Sequence, residues 1–376
     1  MSPRVPDVCL VGHPFIPIGM GEQVRSSFRS LRSVGLRPAL RDVYGSQKPE
    51  PDAEAEFGPF LEEGLRTFNL FHINGDEVEP VLRHLAGVPS PAPSWRAVSP
   101  AWELPQYPAE WARLLDQFDE VWAFSRFVEQ ALVQTVHRPV IHVPPACEVV
   151  LSSFLSRRYF GIPESHYTFL FSFDLRSYVS RKNPEAVVAA YRRVLQKRPH
   201  AATTLVLKIN GAELADDRFR EFLASFADLG DRVLVIPRTL GDDETKNLVR
   251  CCDCYVSLHR SEGFGRGPAE AMVLGKAVIA TRWSGNLDFM NDSNSLLIDY
   301  TLMPVAPGAY PHWQGQRWAD PDVEQAAARM VELLDAPEKG IELGRRASLD
   351  MRREFSYRAI GVRMLQRFEA IDPSIH

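Results

Sequence analysis

No stretch of the 376-residue chain reaches 18 consecutive apolar residues, which excludes a membrane-spanning helix. The first apolar run, VCLVG, spans about five residues and is too short for a secretory signal. Cysteine is scarce: five residues, an odd number, three of them in Cys251-Cys252-Asp253-Cys254 within the apolar segment LVRCCDCYVSL. No second cysteine pair accompanies them. That argues against a disulfide framework or a metal knuckle, and for buried thiols in a reducing, cytoplasmic setting. Basic charge is not in excess either. A net charge of −5 with a pI near 6.1 argues against a general nucleic-acid binder. Lysine is rare, 7 of 43 basic residues, so arginine, the better bidentate partner of phosphate, supplies most cations.

What is present is a globular composition, 45% hydrophobic and 24% charged, long enough for two domains at roughly 150 residues each. The first half alternates strands and helices. VCLVG (8–12) and NLFHIN (69–74) read as strands, as do SWRAVS, EVWAFS and PVIHVPP. In EQVRSSFRSLRSVG, Val24, Phe28 and Leu31 fall at helical spacing and Gly35 reads as the stop. VPSPAPSWRAVSPAWELPQYP holds six prolines in 21 residues and must be largely loop. A second series follows Phe160. YTFLFSFD (167–174), ATTLVLKIN, VLVIP, CYVSLH and AVIATR read as five strands separated by four helices. Asn183 is positioned to cap the helix that Pro184 opens. The tail SYRAIGVRMLQRFEAI places Ile360, Met364, Leu365 and Phe368 on one helix face. Alternation of this kind implies α/β architecture with two doubly wound, Rossmann-like parallel sheets, whose ligands bind beyond the carboxyl ends of the strands.

Three loops in such positions carry chemistry. SEGFGRGPAEAM (261–272) sets Glu262 and Glu270 eight positions apart around Gly263, Gly265 and Gly267 at a helix start, where backbone amides favour an anion. FSFDLRSYVSRKNP (171–184) brings Arg176, Arg181 and Lys182 into one loop, a cation set suited to a diphosphate and to charge on a leaving group. GMGE (19–22), with Gly19 and Gly21, is a glycine turn at the first strand–helix junction. Taken singly, the first reads equally well as a Gly-rich turn with two solvated Glu and the second as an exposed basic loop, while GMGE reads more readily as turn punctuation. The acidic pairs Asp216-Asp217 and Asp242-Asp243 precede helices and read as caps rather than metal ligands.

The combination of E-x7-E in SEGFGRGPAEAM with RKNP in the preceding loop resembles the retaining glycosyltransferases of family 4, over nearly the whole chain. WELPQYPAEW (102–111), EVWAFSRF and WADPD (318–322) are similar to a bacterial subgroup that builds surface polysaccharides and glycosylated natural products. The resemblance implies the GT-B fold, two Rossmann-like domains facing across a cleft. Residues 1–155 would bind the acceptor, 156–354 the nucleotide sugar, and a helix over 355–376 would cross back. By the same resemblance Glu262 faces the donor sugar's hydroxyls and Glu270 the ribose. Lys182 and Arg176 hold the diphosphate, aided by Arg181 and the amides of Phe264 and Gly265. Gly19 and Gly21 approach the phosphate or the acceptor, and Arg238, Thr239 and Leu240, in IPRTL, lie beside the nucleobase. Many members place a His in a middle loop of the first domain. Here that stretch reads SPAWELP, so Glu103 or Trp102 takes the position, with His72 and His13 as alternatives.

The implied reaction moves a hexose or deoxyhexose from a nucleoside-diphosphate sugar, GDP-mannose-like slightly favoured, to an acceptor hydroxyl with retention. Attack is front-face, and neither metal nor other cofactor is expected. A glycan, a lipid-linked sugar or a small molecule remains open as acceptor. Arg25, Arg29 and Arg32 share a helix face and leave open a weak peripheral contact at the inner face of a membrane, though a solvated face is the simpler reading. A sugar-nucleotide 2-epimerase and a non-catalytic nucleotide-sugar-binding protein are the alternatives.

Overall fold

Short β-branched runs bounded by Gly and Pro form two parallel sheets in the computed structural model, which describes residues 5–16, 18–43, 45, 51–212 and 217–374. The chain divides into Met1–Cys147 with Arg353–His376, and Glu148–Arg352. The break falls before residue 155 because the connecting segment bonds into the second unit. The Ser152 amide donates to Asp243 at 2.7 Å, the Leu155 amide to Asn247 at 3.0 Å, and Arg157 pairs with Asp253 at 2.7 Å.

In the first unit β1 (Val8–Gly12), β2 (Ala39–Asp42), β3 (Phe68–Phe71), β4 (Trp95–Val98), β5 (Glu120–Ala123) and β6 (Val140–His142) pair in the order β2-β1-β3-β4-β5-β6, all parallel. β2 went unread in the sequence because ALRD alternates too briefly to register. Val8, Leu10, Phe68, Leu70 and Trp122 form one core with Ile360, Met364 and Phe368 of the last helix, Tyr357–Ile371. That helix packs closely on Gly19–Ser33: a Cβ on Gly361 would stand 2.2 Å from the Ser30 carbonyl oxygen. Arg367 of the same helix pairs with Glu120, which is buried on β5.

In the second unit β7 (Tyr167–Asp174), β8 (Thr203–Asn210), β9 (Val233–Ile236), β10 (Cys254–Ser257), β11 (Ala277–Thr281) and β12 (Leu296–Ile298) pair in the order β12-β11-β10-β7-β8-β9, again parallel. A sixth strand, β12, joins the five expected, and β13 (Tyr300–Pro304) and β14 (Arg317–Pro321) add an antiparallel hairpin. Strand order reverses between β1 and β3 in the first sheet and between β10 and β7 at the middle of the second, the topology that leaves ligand space beyond the strand ends. All five cysteines are free and buried, and burial pushes the Cys252 and Cys254 thiols up, so they are inert packing groups. Among the described residues no helix is long and apolar enough to cross a membrane.

Candidate active site

Three loops at the carboxyl ends of β7, β10 and β11 form the site, all within the second unit. After β7, Asp174 accepts from the Arg176 backbone at 2.8 Å and from its guanidinium at 3.0 and 2.8 Å. A single helical turn, Val179–Lys182, then ends at Asn183, whose φ of 56° is left-handed. Asn183 does not cap the following helix Pro184–Lys197 with its side chain, as the sequence suggested. Its amide donates instead to the Leu258 carbonyl at 2.9 Å, while the Arg260 amide donates to the Arg181 carbonyl at 2.8 Å. The β7 and β10 loops are thereby tied to one another.

This tie brings the two loop motifs together on one carboxylate. Glu262 is 7% exposed, and it accepts from Lys182 at 2.5 Å and from Arg181 at 2.9 Å. Arg181 is itself buried and also donates to the Ser261 carbonyl at 2.8 Å. Burial pushes the Glu262 carboxyl up, but the Lys182 and Arg181 cations outweigh it and hold the group well below the usual carboxylate range. Glu262 is therefore an ionised acceptor at neutral pH. The three cations do not share one partner: Arg181 and Lys182 both bind Glu262, Lys182 staying 23% exposed, whereas Arg176 is bound to Asp174.

The backbone of Glu262 is gripped by the β11 loop. Its amide donates to the Ser284 hydroxyl at 2.8 Å, and its carbonyl accepts from the Gly285 amide at 2.9 Å. Ser284 holds a φ of 77°, a strained value for a residue with a side chain. His259, fully buried between the loops, contacts Ser257 at 3.0 Å and Asn286 at 3.1 Å, and burial lowers its pKa so that the ring stays neutral. No spacing motif pointed to Ser284, Gly285, Asn286 or His259. They matter only because the fold brings a second loop onto the first.

Gly263 and Phe264 lead to Gly265, whose φ of 97° caps the helix Arg266–Val273. Phe264 packs against Phe289 with ring centroids 4.9 Å apart. Glu270 lies one turn along that helix, 24% exposed, with Arg266 at 3.2 Å. After β9, Arg238 pairs with Glu244 at 3.0 Å, Thr239 is exposed and Leu240 is buried. The expected caps resolve differently. Asp216 lies outside the described residues, the helix Asp242–Cys251 is capped by Gly241, and Asp243 instead receives Ser152 and Ser153. Asp320-Pro321-Asp322 spells D-x-D, but Asp322 caps the helix Val323–Asp335. Among the described residues no group of three His, Cys, Asp or Glu is placed to hold a metal.

The remaining candidates belong to the first unit. Gly19 and Gly21 open the helix Gly19–Ser33 rather than forming a turn, and a Cβ on Gly21 would stand 2.1 Å from the Ile16 carbonyl oxygen. Trp102 is buried against Tyr107 and Trp111, with its N–H donated to the Gln106 carbonyl at 2.9 Å; Glu103 beside it is half-buried. His13 pairs with Glu77 at 2.8 Å. Burial lowers the pKa of His72 to about 3, and neither ring nitrogen has a hydrogen-bond partner. The three arginines of the first helix are engaged within the chain. Arg25 binds Glu22 and the Pro14 carbonyl, Arg29 binds Glu56, and Arg32, exposed, stacks over Phe60.

Residues 155–301 match the family model described as Glycosyl transferases group 1. No curated protein sequence matches the chain. Among solved structures, HepE of Anabaena, determined with UDP and glucose, aligns at a TM-score of 0.70 and 14% identity over 97% of this chain and 99% of that one. Sucrose-phosphate synthase of Thermosynechococcus elongatus aligns at 0.68 and 16% identity over 99% and 100%. A glycosyltransferase of Rickettsia africae aligns at 0.63 and 14% identity over 97% and 98%. These likenesses establish the GT-B fold. The matched segment, a glycosyltransferase group 1 domain, contains Glu262, Lys182, Arg181, Ser284 and Glu270.

Proposed function

We propose that the protein transfers a hexose or deoxyhexose from a nucleoside-diphosphate sugar to an acceptor glycan hydroxyl with retention of configuration and without a metal. The observation that carries the reading is the buried Glu262, held ionised by Lys182 and Arg181. A carboxylate fixed this way accepts bonds from a sugar's hydroxyls without moving, and Lys182, at its exposed edge, meets the diphosphate. A uridine donor fits better than the GDP-mannose-like donor favoured from sequence, because HepE, which shares the fold, was determined with UDP and with UDP-glucose.

In this reaction the acceptor oxygen bonds to the anomeric carbon on the face from which the diphosphate departs. The carbon–oxygen bond to the diphosphate breaks with its electron pair, and the acceptor proton passes to the leaving phosphate oxygen. The protein supplies alignment and cations for the growing charge. Glu270 accepts from the ribose hydroxyls, and the amides of Phe264 and Gly265, at the start of a helix, meet the phosphates.

The test is incubation of the purified chain with UDP-, GDP-, TDP- and ADP-sugars, with and without glycan acceptors, and measurement of released nucleotide. Acceptor-dependent UDP release with an α-linked product from an α-donor is expected. Isomerised sugar nucleotide without acceptor indicates a 2-epimerase, and binding without turnover a non-catalytic binding protein; either overturns the proposal.

A further inference from the structure

A parallel strand buried on both faces ordinarily carries apolar side chains, yet β8 carries a lysine. Leu205, Leu207 and Ile209 enter one core with Phe171 and Phe173 of β7, so Lys208 and Asn210 stand on the opposite face. The register sets Lys208 beside Ser172 and Asn210 beside Asp174. On that face the Ser172 hydroxyl lies 2.8 Å from the Tyr255 phenol oxygen, and a Cβ on Gly267 would stand 2.3 Å from the same phenol oxygen. At Tyr255 the face is thus covered by the start of the helix Arg266–Val273, the helix that carries Glu270. Asp174, Asn210, Lys208, Ser172 and Tyr255 form a polar band across β8, β7 and β10, with Tyr255 at the helix start.

Lys208 is 2% exposed, and its ammonium donates to the Asn210 side-chain oxygen. Asp174 and Glu244 attract it, while Arg176 and Arg238 repel it, and the Asp174 carboxylate is already bound by Arg176. Burial lowers its pKa from 10.5 to about 8, so the surrounding groups do not compensate its charge. A neutral amide does not offset the cost of burying an ammonium. Such an arrangement gains its missing partner when an anion binds.

We propose that Lys208 is a donor-binding residue contacting the phosphate nearest the nucleoside, with Asn210 fixing its direction. The inference rests on the proposed function and deepens it. Glu270, Lys208 and Lys182 would then hold ribose, inner phosphate and outer phosphate in turn.

The experiment compares the full chain with Lys208→Met, using UDP affinity by calorimetry, competition by inorganic pyrophosphate, and the melting temperature of the ligand-free protein. Loss of the ammonium should raise the Kd for UDP at least tenfold and the pyrophosphate inhibition constant by a similar factor. The ligand-free melting temperature should stay level or rise, because the buried charge is gone. UDP affinity within twofold of the parent overturns the assignment, as does lost affinity accompanied by a lower melting temperature, which marks a structural role. An unchanged pyrophosphate constant puts the contact on the nucleoside and also overturns it. A parent protein that binds no nucleoside diphosphate overturns the proposed function along with it.

Discussion

Gly285 lies so close to Gly263 that a Cβ on Gly285 would stand 2.0 Å from the Gly263 carbonyl oxygen. Real side-chain carbons do not approach an oxygen at that distance, so the β11 loop reaches the Glu262 backbone only because residue 285 is glycine. Gly285→Ala should push the two loops apart and lower kcat at least tenfold. Steady-state kinetics with the donor check this against Gly58→Ala, which has room for its methyl and should behave as the parent.

Glu262→Gln keeps the side chain's shape but leaves Arg181 and Lys182 without their buried counter-charge. Breaking a buried pair in this way costs about 3 kcal/mol or more. Turnover should fall about a hundredfold, the scale seen when a preorganised polar contact is removed. The folded carboxyl titrates below its ordinary 4.5, so its stabilisation is fully present above 4.5 and is lost as pH falls toward the folded value. Melting temperature against pH should therefore show a weaker acid limb below 4.5 in the variant than in the parent.

Glu270→Ala should raise the donor KM and leave kcat nearly intact, because the ribose is remote from the breaking bond. A collapse of kcat with unchanged KM would remove Glu270 from the ribose.

His72 titrates near 3 when folded and near 6.5 when unfolded, so the folded chain binds fewer protons between those values. Stability should therefore be lost as pH falls from 6.5 toward 3. His72→Leu, which cannot be protonated, should flatten that part of the melting curve measured in matched buffers.

Gly361→Val should destabilise the first unit strongly, since its Cβ would stand 2.2 Å from the Ser30 carbonyl oxygen on the neighbouring helix. A large drop in melting temperature is expected, against little change for Val362→Ala at an exposed neighbouring position.

Local chemistry determined a good deal of this protein from sequence. Runs such as VCLVG and YTFLFSFD are strands because short β-branched and aromatic segments bury well on a pleated surface. RKNP and E-x7-E each stood out as a loop because glycine, proline and clustered charge interrupt the strand and helix periodicity, and the fold joins these two loops through Glu262. Direct contact between Lys182, Arg181 and Glu262 was not legible, since 80 residues separate Lys182 from Glu262 and only parallel pairing of β7 with β10 brings their loops together. Ser284 and Lys208 were invisible for the same reason. One reaches the site through a loop from another strand, and the other looks like an ordinary lysine until the sheet shows which face it occupies. The sequence by itself determined the elements and the charge types. The tertiary structure decided which charges are buried, and therefore which remain ionised, because desolvation and pairing depend on neighbours that lie far apart along the chain.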